Sequence, residues 1–193
     1  MAFWTIHLSV AKKVNPNAKI DFFIGNVAPD SISNKEHKDI NHLRNVPDME
    51  LALKEFALKI NTKNEYLKGS LLHLFVDWKW NTLVIEDFIK KEGESWYQKY
   101  QDEGWLMESY GFHNIDWIRD IWEQMDLCDT FDYVETEFIT KQAIKSLISY
   151  HHKWKKENKT GEPTVFSLEF IEKFADDTAH DFNKWYSDLK SKI

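Results

Sequence analysis

The chain has 193 residues, 42% hydrophobic and 30% charged, with six Gly, four Pro and a single cysteine, Cys128. That length suits one domain with a sizeable core, and a lone cysteine excludes both a disulfide framework and a cysteine zinc site. The net charge is −7, with fifteen acids against four bases between Val84 and Glu137, so no nucleic-acid partner is expected for so acidic a middle.

Scarce Gly and Pro, and little period-two alternation, predict an all-α fold: a single-domain multi-helix bundle over 1–193. Its metal-site half would be 1–90. An aromatic, acidic insertion and the C-terminal helices would fill 91–193.

Phe3, Ile6, Val10 and Val14 have helical spacing, with His7 near the apolar side. Asn15-Pro16-Asn17 ends that helix. A short buried helix follows over Asp21–Val27, where Gly25 permits a close approach or a turn. Pro29 drives Ala28 out of helical geometry, which puts Asp30 on a loop behind a buried element. The plainer reading is that Asp30 and Ser31 cap a turn.

Ser33–Pro47 reads as a loop with a short helix, holding His37 and His42. Asp48 caps a helix to Ile60. Asn61–Asn64 is a turn, and the central helix runs from Glu65 to Ile89. Broken helical turns around Gly104 and Gly111 are expected next, as a surface-packed insertion. Asn114 would cap a helix through Met125. Glu135–Lys156 forms another, and Ser167 caps a last one to Leu189. The start of the chain lacks a basic flank and a long apolar run, and no later run reaches membrane-spanning length. A cytoplasmic protein without a membrane span is expected. Its oligomeric state is not legible.

The central helix carries the informative stretch, Gly69-Ser70-Leu71-Leu72-His73-Leu74-Phe75-Val76-Asp77-Trp78-Lys79-Trp80. His73 and Asp77 are four residues apart and share one helix face. A buried carboxylate needs a partner. A divalent ion supplies one, and so does a His–Asp hydrogen bond inside a core. The first 80 residues also hold His7, Asp30 and His42, all of metal-ligand type.

The order His7, then Phe23-Ile24-Gly25-Asn26-Val27-Ala28-Pro29-Asp30-Ser31, then Asn41-His42-Leu43, then Gly69-x3-His73-x3-Asp77 resembles the zinc-dependent phospholipase C family. These are all-helical metal hydrolases whose wider relatives include zinc nucleases that cut single strands. The resemblance covers residues 3–81. It implies that His7, Asp30, His42, His73 and Asp77 hold metal, with Asp30 the catalytic base if it does not ligate. It implies one or two zinc ions, or another divalent metal. The partner would be a small phosphate ester or a phospholipid head group.

Two departures stand beside it. Secreted members bind metal through the backbone of an N-terminal tryptophan, whereas Trp4 is not the first residue here. No His-x3-Glu pair follows the central helix. The reversed Asp176-x3-His180 spacing exists, and its plainer reading is a solvated helix face. The preferred function is a metal-dependent hydrolase of a phosphate ester or phosphodiester. The alternatives are a non-catalytic metal-binding or interaction module and a His–Asp type nucleotide phosphohydrolase. The latter ranks lower because that class needs an adjacent His-Asp dipeptide and the motif order above carries none.

Overall fold

The computed structural model describes residues 2–61 and 63–191. Thr62, inside the expected Asn61–Asn64 turn, lies outside the described residues, as do Met1, Lys192 and Ile193. Helices α1 (Trp4–Val14), α2 (Ile20–Val27), α3 (Lys35–Asn41), α4 (Met49–Lys59) and α5 (Glu65–Trp80) form the first part. Helices α6 (Glu86–Glu92), α7 (Trp96–Asn114), α8 (Asp116–Leu127), α9 (Lys141–Glu157) and α10 (Leu168–Lys190) complete the bundle. No strand occurs among the described residues. None of their helices is long and apolar enough to cross a membrane.

The centre is α5. From Ser70 to Asp77 every residue is buried. Two glycines set its distance from α2. A Cβ on Gly69 would lie 2.1 Å from the Phe22 carbonyl oxygen, and one on Gly25 would lie 2.0 Å from that of Tyr66. The two backbones therefore meet without side chains between them, as only glycine allows. Ser70 Oγ and Asn26 Nδ2 close the seam, donating to the carbonyls of Gly25 (3.1 Å) and Gly69 (3.3 Å). Past Trp80 the chain continues through a π-helical turn, Asn81–Ile85, into α6. The central helix thus runs slightly beyond its expected end at Ile89.

Asp48, Asn64 and Ser167 cap their helices as side-chain acceptors, from Leu51, Leu67 and Phe170 respectively. Ala28 keeps right-handed helical geometry before Pro29 (φ −58°, ψ −38°), so Asp30 stands on a 3-10 turn that continues α2 and not on a loop beyond a break. Three further expectations need correction. First, α7 is one continuous helix rather than broken turns. Its glycines are contact points: a Cβ on Gly104 would strike the Phe3 ring at 1.8 Å, and one on Gly111 would reach Thr5 Cγ2 at 3.0 Å. Buried Tyr100, Met107, Glu108 and Phe112 make α7 part of the core. Second, Asn114 ends α7 and does not cap α8; its Nδ2 donates to the Tyr110 carbonyl at 2.9 Å. Third, α9 begins at Lys141 rather than near Glu135, because Thr140 Oγ1 accepts from the Ala143 N–H at 3.1 Å and fixes the start there.

Candidate metal centre

Four elements bring the five expected residues together. His7 comes from α1, Asp30 from the short 3-10 turn Ala28–Ser31, His42 from the end of α3, and His73 with Asp77 from α5. All five are buried, Asp30 being the most open at 8%. His7, Asp30 and His73 offer ligand atoms within 4.8 Å of one another, and so do His42, His73 and Asp77.

The local fold places each one. Leu43 holds φ 55°, the left-handed region, immediately after His42. The Leu43 N–H donates to the Ile40 carbonyl (3.1 Å) and the Arg44 N–H to that of Asp39 (2.9 Å). This is a Schellman closure of α3, with leucine where glycine is the usual choice. It sets His42 as the C-terminal cap of α3, facing inward. Helix α1 starts without a side-chain cap of its own. Instead, the Thr5 N–H donates to Glu108 Oε1 on α7 (2.8 Å), and the Ala2 N–H donates to Asp77 Oδ1 (2.8 Å). Two distant carboxylates thereby satisfy amides at the positive end of α1. Glu108 is itself paired with the fully buried Lys155 of α9, whose ammonium lies over the rings of Trp4 and Trp122.

The tautomers follow from the hydrogen bonds. His73 Nδ1 lies 2.7 Å from the Asn26 carbonyl oxygen, and His42 Nδ1 lies 2.8 Å from that of Lys38. A carbonyl only accepts, so both Nδ1 atoms carry their protons. In the neutral rings both Nε2 atoms then present lone pairs, yet they face each other at 3.1 Å. Two lone pairs at that distance repel unless a cation or an extra proton lies between them. Burial, followed by the neighbouring His7, pushes His73 down to about 3, so that ring does not supply the proton at neutral pH.

The carboxylates converge on the same point. Asp77 Oδ1 is 3.4 Å from His7 Nε2; its Oδ2 is 3.7 Å from His73 Nε2 and 3.8 Å from His42 Nε2. Asp30 Oδ1 is 3.4 Å from His42 Nε2 and 2.8 Å from Lys38 Nζ. Burial alone would raise both carboxyl groups. The surrounding imidazoles, with Lys38 beside Asp30, override it and hold both well below the usual range. Both ring nitrogens of His7 and Asp77 Oδ2 are buried without a hydrogen bond. The donor set of imidazole nitrogen and carboxylate oxygen, with ligand atoms left unsatisfied, fits a divalent cation.

Asp176 and His180 do not join this cluster. Asp176 pairs with Lys13 at 2.9 Å on the surface, and His180 is exposed. The adjacent dipeptide His180-Asp181 also stands apart, Asp181 being bonded to Lys79 at 2.6 Å. His37 is exposed and stacks on Phe138, with centroids 4.4 Å apart. The supporting groups, namely the Asn26 and Lys38 carbonyls, Glu108 and Lys155, carry no sequence signal of their own. Comparison with protein-family models, with curated proteins and with solved structures gives no match.

Proposed function

We propose that the protein is a metal-dependent hydrolase of phosphate esters or phosphodiesters, like the zinc-dependent phospholipases C that its motif order resembles. The observation that carries this reading is the convergence of buried ligand atoms: His42 Nε2 and His73 Nε2 lie 3.1 Å apart, and the imidazoles of His7, His42 and His73 meet the carboxylates of Asp30 and Asp77 in two groups whose ligand atoms lie within 4.8 Å of one another. His7, His42, His73 and Asp77 would hold one or two zinc ions, with Asp30 at the open edge. A divalent cation there supplies Lewis acidity and makes water acidic enough to attack at neutral pH.

The chain's own groups do the rest. The Asn26 and Lys38 carbonyls fix the two imidazoles in the tautomer that leaves Nε2 free, the usual role of outer partners at a metal site. Asp30 stays ionised at neutral pH. Its depressed pKa suits a carboxylate that ligates or orients water better than one that stores a proton, since a general base works best near the operating pH. Lys38, 2.8 Å from Asp30, is placed to neutralise charge on a phosphoryl group. The same Lys38–Asp30 ion pair favours the second reading, a metal-holding module without turnover, because it compensates the Asp30 charge without substrate.

Elemental analysis of protein purified without chelator or affinity metal tests the first step, with about one zinc per chain or more expected. A screen with bis(4-nitrophenyl) phosphate tests the second. Zinc with turnover supports the hydrolase, zinc without turnover on any ester supports the module, and no zinc uptake refutes both.

A further inference from the structure

A cavity of about 450 Å³ opens at Asp30, the size of a small-molecule site. Lys38 and Arg44 line it, and so do Trp96, Tyr97 and Trp105 of α7. We propose that this cavity takes an anionic phosphate ester bearing a planar ring and discriminates against a cationic head group such as choline. The inference deepens the hydrolase reading and rests on it.

Aromatic walls alone do not decide between the two ligands. They stack on planar rings and attract quaternary ammonium equally well. The charges decide. Among the described residues Asp30 is the one carboxylate lining the cavity, and it already faces Lys38 at 2.8 Å and His42 at 3.4 Å. Arg44 donates to Asp39 through Nη1 at 2.7 Å, which tempers its charge, and Asp39 does not line the cavity. Among the described lining residues two cations stand against one carboxylate, a surplus of one positive charge that disfavours a quaternary ammonium. A phosphate dianion meets an ammonium and a guanidinium, the pair of groups suited to phosphate. Tyr97 and Trp105 are among the most exposed large aromatics of the chain, at 60% and 40%. They leave ring faces for the organic part of the ester.

The test compares phenyl phosphate, phosphorylcholine and inorganic phosphate by calorimetry and tryptophan quenching. The full chain is used in metal-free and zinc-loaded forms, with zinc content measured on the same samples. Phenyl phosphate should bind at least about fivefold more tightly than either competitor, the order expected of one or two part-exposed charge contacts and a stacked ring. Arg44→Ala should shrink the preference over phosphorylcholine. Tyr97→Ala and Trp105→Ala should shrink the preference over inorganic phosphate without changing zinc content. Phosphorylcholine binding as tightly as phenyl phosphate overturns the proposal. So does an Arg44→Ala protein with the preference unchanged, or inorganic phosphate matching phenyl phosphate. Zinc uptake without ligand preference fails the cavity alone, and preference without zinc uptake fails the hydrolase reading alone.

Discussion

Asp77→Asn separates a cation site from a hydrogen-bonded core. The carboxylate is buried and reaches every histidine of the cluster: Oδ1 to His7 Nε2 at 3.4 Å, and Oδ2 to His73 and His42 at 3.7 and 3.8 Å. Asparagine keeps the volume and an acceptor for the Ala2 N–H, now bonded at 2.8 Å. Its amide nitrogen can face the two imidazole lone pairs. In chelator the variant should therefore stay within about 1–3 kcal/mol of the wild type. Zinc is where the two proteins part. An ion that binds only the folded state stabilises it by RT ln(1 + [L]/Kd), about 2.7 kcal/mol at a hundredfold excess over Kd. For a chain of this size that is a rise in Tm of about 5–11 °C. Thermal melts of both proteins, each with zinc and with verified chelation, measure it. The wild type should gain the full rise and Asp77→Asn little of it. A wild-type Tm that neither chelator nor zinc moves would refute the reasoning, leaving a hydrogen-bonded polar core in place of a cation site.

His42→Ala should sharply reduce zinc content while His37→Ala leaves it unchanged, because His42 is in the cluster and His37 is on the surface against Phe138. Elemental analysis of the two variants checks this, and equal zinc contents would contradict the assignment. Gly69→Ala should destabilise by at least about 1–3 kcal/mol in urea melts and weaken zinc binding. The added Cβ meets backbone of α2 at 2.1 Å and would displace Asn26, whose carbonyl orients His73. His151 packs against Trp4 with ring centroids 3.9 Å apart and planes tilted by 51°; burial, then the Lys155 ammonium, pushes it down to about 4. The unfolded chain protonates at a higher pH than the folded one, so stability falls as pH drops from the ordinary histidine value toward 4. Between pH 7 and 5 the wild type should lose about 2 kcal/mol more than His151→Phe, read from urea midpoints. Equal losses would show that His151 ionises alike in both states.

Helix type and much of the capping were legible because the signals are local. Asp48 and Ser167 stand directly before apolar-periodic runs, and each is the observed cap, while Asn64, read only as the end of a turn, caps α5 as well. Errors arose where a local signal had two meanings. Gly104 and Gly111 read as breakers, yet they serve as close-approach points for Phe3 and Thr5, a tertiary fact. Glu135 and Glu137 are compatible with a helix, but Thr140 offers the cap and α9 starts after it. His73 and Asp77 were visible because polar residues in apolar surroundings demand a reason, whereas the full set of five was named only through the motif order His7, Asp30, His42, His73, Asp77 and the family it resembles. What holds them was not visible. The Asn26 and Lys38 carbonyls are backbone, and Leu43 shows no glycine at the left-handed position that turns His42 inward.

The least legible support is the pair Glu108 and Lys155. In sequence, one is an acid in an acidic stretch and the other a lysine in a basic helix end. In the fold they are a fully buried ion pair, and Glu108 also receives the Thr5 N–H. Removing one member of such a pair leaves an uncompensated buried charge, which destabilises by about 3–5 kcal/mol. The pair also has a geometric consequence. Thr5 lies two residues before His7 on α1, so the height of His7 over Asp77 is set from α7 and α9. Trp4, held between Trp122 and His151, fixes the rotation of the same helix. The cluster is therefore held by contacts from both parts of the chain, 1–90 and 91–193. The second half supplies none of the five candidate ligands, but it positions the helix that carries one of them. A cation at the cluster would in turn draw α1 toward α5 through His7 and Asp77, while Ala2 already ties α1's leading end to the same carboxylate.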